Sequence, residues 1–399
     1  MPALRRASAR RLAVTLAALT AVGSTVLAAP SVQAAPRATH STARSVEGCP
    51  PDHALVARLD KAIESVMKET GTPGVTVGLT LPGRGDYVRS FGVADKATGM
   101  PMWPGLYLRI GSETKTFTAT AVLELVDQGL VKLDSPIAAY LHGIPNGRHI
   151  TVRQLLEMRS GLFPYTADTD FDKALFTDPY RQWTPQELLA YAFRHHPTAP
   201  GVKFQYSNTN YVVLGLLVEK LGRMPLADFV RERILEPSHL DHTFFPFGAE
   251  FRKPHAHGYT DQTLTGAVAD STKWNPSAAW AAGAMISDLR DMRLWAKDVA
   301  TGTLLSPATQ AERVKFIPAG FPGAGYGLGL FETNGWRGHN GSIPGYESAT
   351  VYLPQEHATL VVLLNTDILH NGAEPSTLFA NAITKIATPG HVYDLPATG

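Results

Sequence analysis

The 399-residue chain predicts an α/β fold, with an antiparallel sheet built from both chain ends, flanked by helices, and a mostly helical lobe inserted between them. Three observations carry this expectation. Near the start, Val75 to Leu81 and Tyr87 to Val93 are strand-like runs joined by Pro82-Gly83-Arg84-Gly85, residues that suit the turn of a hairpin. Near the end, Gly327 to Glu332, Tyr346 to Leu353 and Thr359 to Leu364 read as strands too. Between these groups the apolar residues recur mostly at helical spacing, with no internal repeat and no long low-complexity linker.

Taken in order, Arg5, Arg6, Arg10 and Arg11 precede the apolar run Leu12 to Leu27, which gives way to small residues through Ala34-Ala35. This is the layout of a secretory signal peptide over residues 1–35, too short and alanine-rich for a membrane span. Arg10-Arg11 also allows twin-arginine export. Residues 36–50 are polar and small and read as a disordered leader. Residues 51–388 are expected to form one globular domain, and 389–399 a tail. Within the domain, Leu55, Leu59, Ile63 and Val66 mark one face of a helix over Ala54 to Glu69. Further helices are expected over Tyr211 to Leu221, stopped by Gly222, over Ser287 to Val299, capped by Ser287 or Asp288, and over Pro375 to Ile386. A sheet drawn from both ends around a helical insertion leaves a cleft between lobes, where ligands bind.

The chemistry centres on Ser112-Glu113-Thr114-Lys115, which opens the apolar run Phe117, Ala121, Val122, Leu125, Val126. Residues three apart share a helix face, so a hydroxyl and an amine meet across the first turn. A lysine desolvated by a core can lose its proton and activate the serine beside it. The spacing alone is weak, since about one such pair arises by chance in a chain of this length. Ser65 and Lys68 supply a decoy within the Ala54 to Glu69 helix, where they read as a solvated face. Ser112 differs in having company: Tyr206-Ser207-Asn208 and His339-Asn340-Gly341.

With these three motifs the chain resembles the serine penicillin-recognising hydrolases, in the β-lactamase/transpeptidase-like branch that holds class C β-lactamases and secreted D-alanyl-D-alanine carboxypeptidases. That branch carries Ser-x-x-Lys, Tyr-x-Asn and Lys/His-x-Gly in this order. The resemblance runs from about Leu55 to about Ile386 and takes in Leu125 to Asp134, Leu155 to Leu162, Ser207 to Gly215 and Gly325 to Leu330. It implies an acyl-enzyme on Ser112 acting on peptidoglycan stem peptides or small D-amino-acid peptides, with β-lactams as acylating inhibitors. It also implies an oxyanion hole from the N–H groups of Ser112 and Ser342.

The residue types suit these roles. A free lysine is neutral in only roughly one molecule in a few thousand at pH 7, so Lys115 needs a lowered pKa or a relay. Tyr206 can relay, since a phenol both donates and accepts, and a cationic Lys115 would lower its pKa. Asn208 has enough donors and acceptors to hold Lys115 and a substrate amide together. His339 can add polarity or a proton near neutral pH, and Gly341 avoids crowding the substrate backbone. One departure affects the substrate. The carboxypeptidases resembled here carry an arginine after Leu-Gly-Leu, where this chain has Phe331; Arg337, across a hairpin at Asn334-Gly335, is the expected substitute beside His339.

The reading is a secreted D-alanyl-D-alanine carboxypeptidase, expected to be a monomer near the cell wall. A class C-like β-lactamase, an esterase or a D-amino-acid amidase are the enzymatic alternatives, and a β-lactam or peptidoglycan sensor the non-enzymatic one. No cofactor or metal is expected. There is no Gly-x-Ser-x-Gly, His-Glu-x-x-His or Cys-x-x-Cys, and His195-His196 before Pro197 reads as a helix end. Removing residues 1–35 takes away four arginines, so the formal charge falls from +1 to about −3, which excludes nucleic-acid binding by charge. The single Cys49, read as a surface thiol, cannot form an internal disulfide. Leu395-Pro396-Ala397-Thr398-Gly399 matches a sortase signal without the apolar span such a signal needs, and is expected to be a coincidence in a proline-rich tail, the alternative being a truncated signal.

Overall fold

A computed structural model describes residues 52–395. The expected leader segments and Cys49 lie outside the described residues, as do the last four residues of the tail. The chain's first long strand pairs with its last. Gly74–Leu81 runs antiparallel to Ala358–Leu364 in the register Val75↔Leu364 through Thr80↔Thr359. Around that pair a nine-stranded sheet extends both ways. On one side lie Gly85–Asp95 and Met100–Pro101; on the other Tyr346–Leu353, Trp336–Ile343, Phe331–Thr333, Ala324–Tyr326 and Ile317–Pro318. All seven residues of Ala358–Leu364 and all eight of Tyr346–Leu353 are buried, which is why these strands read as continuous apolar runs rather than alternating ones.

The Asn334-Gly335 hairpin forms as expected, joining Thr333 to Trp336. The expected strand Gly327 to Glu332 does not form as one piece. The Gly327 N–H donates to the Leu330 carbonyl, closing a turn that separates Ala324–Tyr326 from Phe331–Thr333. Helices match the expected positions and end within a few residues of them: His53–Thr70, Asn208–Gly222, Leu289–Thr301 and Pro375–Ala387. Asp288, not Ser287, caps the third by accepting from the Asp291 N–H at 2.9 Å. The first and last of these helices pack on each other, and Leu289–Thr301 packs on the central strands.

The helix Thr114–Asp127 is buried on every side as far as Leu125, as expected of a helix at the heart of a large core. Its Phe117 stacks on Trp295 with ring centroids 4.2 Å apart, and it packs on Asn208–Gly222 of the inserted lobe and on Trp336–Ile343 of the sheet. The start of this helix therefore sits where lobe and sheet meet. No helix among the described residues is long and apolar enough to cross a membrane. In the tail, Leu395 is wholly buried, so the first residue of the sortase-like stretch belongs to the core.

Candidate active site

Ser112 lies in the short 3-10 turn Gly111–Glu113 that feeds the Thr114–Asp127 helix. Lys115 is one step into that helix and completely buried. Its Nζ donates to Ser112 Oγ at 2.8 Å and to the Ala282 carbonyl at 2.8 Å. The same nitrogen sits 4.8 Å from the ring centre of Tyr206 and 5.7 Å from that of Tyr211. With carbonyl, hydroxyl and aromatic neighbours in place of bulk water, burial drives the Lys115 pKa well below the usual lysine range. The decoy pair is different: Ser65 and Lys68 are both exposed on the His53–Thr70 helix.

Tyr206 reaches Ser112 from the inserted lobe. Its hydroxyl is close enough to Ser112 to be influenced by it, yet makes no hydrogen bond of good geometry. Burial pushes the phenol pKa well up, outweighing the Ser112 contribution. This corrects the expected electrostatics. Lys115 does not act as a cation that lowers Tyr206; desolvation favours the neutral form of both groups.

His339 is buried behind Tyr206, their ring centres 6.2 Å apart. Burial is the main cause that pushes its pKa down to about 3. It is therefore neutral at working pH and cannot lend a proton near pH 7, contrary to half of its expected role. Its Nδ1 faces the Asn340 carbonyl and its Nε2 lies 3.2 Å from the Tyr326 hydroxyl, so Nδ1 carries the hydrogen and Tyr326 donates to Nε2. In the sequence Tyr326 falls only within the Gly325 to Leu330 stretch that carries the resemblance; its place in the site depends on the sheet.

Phe331 is buried, with its ring parallel to that of Tyr206 at 6.3 Å and 4.9 Å from His339. It props the two rings and does not line the cleft, so its expected place in substrate binding is not seen. Arg337 is also off the cleft; its guanidinium lies over the Phe316 ring at 5.6 Å. Asn208 lines the cleft wall, but its amide donates to Thr166 Oγ1 at 3.3 Å and not to Lys115.

Backbone contacts seat the strand beside the nucleophile. Gly111 has φ +51°, and a Cβ there would lie 2.6 Å from the Ser342 nitrogen. A Cβ on Gly341 would lie 2.0 Å from the Ile110 carbonyl oxygen. Gly341 is thus required by the close approach of two backbones within the protein, not by a substrate as expected. Ser112 and Ser342 both line a cleft of about 560 Å³, together with Tyr206, Asn208 and Asn340.

His195 pairs with Asp168 at 2.8 Å and stacks on Phe163, while His196 is exposed. One group, His242, Asp288 and Asp291, is close enough to surround an ion. Its oxygens already have protein donors: Asp288 receives His242 and the Asp291 N–H, and Asp291 receives Thr243, the His242 N–H and Arg290.

Comparison with known proteins agrees with this fold. The Beta-lactamase family model matches residues 59–380. A D-stereospecific amidohydrolase from Streptomyces sp. superposes with a TM-score of 0.72 at 33% identity, covering 79% of this chain and 95% of its own. The D-amino acid amidase of Ochrobactrum anthropi SV3 gives 0.71 at 30% identity, covering 82% and 96%. Protein flp of Staphylococcus aureus (strain N315) is 26% identical over 320 residues, 77% of this chain, which spans 62% of that relative's length. With Ser112 and Tyr206 lining one cleft and Lys115 buried against Ser112, a family model covering most of the domain places the chain among the serine hydrolases of the beta-lactamase family.

Proposed function

We propose that this protein hydrolyses D-amino-acid amides or short D-amino-acid peptides through an ester on Ser112. Neutral Lys115 takes the Ser112 proton as Oγ attacks the carbonyl carbon. The N–H groups of Ser112 and Ser342 hold the oxyanion. The proton passes from Lys115 by way of the Tyr206 hydroxyl to the departing amine, the C–N bond breaks, and the acyl group stays on Oγ. Water then repeats the sequence in reverse and releases the acid. His339 remains neutral throughout and fixes the ring stack that positions Tyr206.

The observation that favours an amidase over the carboxypeptidase read from the sequence is the absence of an available cation. Among the described residues lining the cleft, Arg109 alone is basic. It is only 2% exposed, donates through Nη2 to the Thr272 and Trp274 carbonyls and packs its guanidinium over the Phe251 ring, while its Nη1 is buried without a hydrogen-bond partner. A terminal carboxylate would find no exposed guanidinium to grip it. The amidase neighbours support the same choice.

The test is hydrolysis of D-phenylalanine amide, its L-enantiomer and D-Ala-D-Ala, alongside mass spectrometry after penicillin treatment. The D-amide is expected to turn over with the highest kcat/KM, and the adduct to map to the peptide carrying Ser112. If D-Ala-D-Ala is the better substrate, the carboxypeptidase reading replaces this one; an adduct on Ser65 removes the mechanism.

A further inference from the structure

The cleft that holds Ser112 is lined by four carboxylates, Asp172, Asp261, Asp367 and Glu374, against the single engaged Arg109. Two of the four are held in place by neighbouring side chains. Glu374 occupies the cap position of the Pro375–Ala387 helix but makes no side-chain cap there. The Ser376 N–H of that helix is taken by Glu347 Oε2 at 2.8 Å instead, and Asn340 Nδ2 donates to Glu374 Oε2 at 2.6 Å. Asn340 stands two residues before Ser342 on the strand that flanks the nucleophile. The sequence therefore spends Glu347 on the helix end and turns Glu374 to the cleft. Glu347, almost wholly buried, is pushed well up by burial first and by Glu374 second, and Glu374 is the member of the pair that lines the cleft. Asp367 is nearly inaccessible, fixed through Oδ2 by Thr260 at 3.0 Å and Gln262 at 2.5 Å, while its Oδ1 has no hydrogen-bond partner.

We propose that Glu374, positioned by Asn340 and backed by Asp367, is a charge filter for this active site, admitting ligands that carry a free ammonium group and disfavouring those that carry a free carboxylate. The inference rests on the reading above that Ser112 is the nucleophile of this cleft, and it names the substrate class: amides and esters of amino acids with an unblocked amine. A carboxylate held in a partly dry cleft attracts an ammonium and repels an anion more strongly than the same pair would in water. The acyl-enzyme chemistry needs no charge on the ligand, so the filter acts on binding and is expected to appear in KM more than in kcat.

The experiment uses three p-nitrophenyl esters of similar size, of 4-aminobutyrate, butyrate and succinate, which present a cation, no charge and an anion to one reaction. The full chain and its Glu374→Gln, Asp367→Asn and Ser112→Ala variants are compared, with circular dichroism to confirm folding. The expected order of kcat/KM is cation, neutral, anion, with about a ten-fold step or more between the ends, as a charge-assisted contact supplies. Glu374→Gln should compress that range at least several-fold, chiefly through KM. A flat series in the wild type, or a range that survives both Glu374→Gln and Asp367→Asn, overturns the filter. Undiminished turnover by Ser112→Ala overturns the underlying reading of the nucleophile instead, and is told apart by that variant alone. Should Glu374→Gln fail to fold, the Asn340→Ala variant, which keeps the carboxylate but removes its bond from Asn340, must narrow the same range or the proposal falls.

Discussion

Lys115 Nζ stands 2.8 Å from Ser112 Oγ, and its second hydrogen bond goes to the Ala282 carbonyl, a residue far away in the chain. A carboxylate in that place would have held the lysine charged. A carbonyl in a dry core does not, and the amine is left able to accept the serine proton.

Lys115→Ala should therefore lose about 10² to 10⁴-fold in ester turnover, the range of general-base help, while Lys68→Ala, on an exposed helix face, should change nothing measurable. Initial rates on one chromogenic ester decide it. Equal losses would mean that the resemblance between the two serine–lysine pairs is more than spacing.

Tyr206→Phe should separate activity from stability. The hydroxyl is buried with no well-formed hydrogen bond, and such a group costs about 1 to 3 kcal/mol. Removing it should leave the melting temperature unchanged or higher and slow acylation steeply. A variant that is acylated at the wild-type rate would show that Lys115 works without the phenol.

Glu113, next to the nucleophile, is fully buried, its Oε1 without a partner, and burial raises its pKa from 4.5 to about 8. Between those values the unfolded chain has lost the proton and the folded chain keeps it. Folding then takes up a proton, so this group's contribution is complete below pH 4.5 and is lost as the pH rises towards 8. Glu113→Gln keeps the size and removes the titration. The fall in unfolding free energy across that window should flatten by up to about 1.4 kcal/mol per pH unit, measured by urea denaturation at several pH values. An unchanged slope would place the titration elsewhere.

Export is a proposal from the first 35 residues. Expressed in a secreting bacterial host, the protein should appear in the medium with an N-terminus close to Pro36, read by intact mass and N-terminal sequencing. Retention in the cytoplasm with residues 1–35 still attached would dismiss the signal peptide.

Much of this protein is written locally. Val75 to Leu81 and Thr359 to Leu364 are apolar enough to be central strands wherever they fall in the chain, and Ser112 and Lys115 share a face because helices repeat every 3.6 residues. The order of the three motifs marks the family without any coordinates. What the sequence by itself did not determine is each group's surroundings. The Lys115 pKa depends on Ala282, Tyr206 and Tyr211, and the neutrality of His339 on being buried behind Tyr206. Gly341 reads as a substrate contact until Ile110 is seen against it, and Arg337 as a carboxylate binder until its guanidinium is found over Phe316. Glu374 and Asp367 carry no motif at all and reach the cleft only because the sheet closes the two chain ends together. Periodicity fixes which face a side chain takes, but dielectric and charge sum over neighbours brought from anywhere in the chain, and those neighbours are chosen by the tertiary fold.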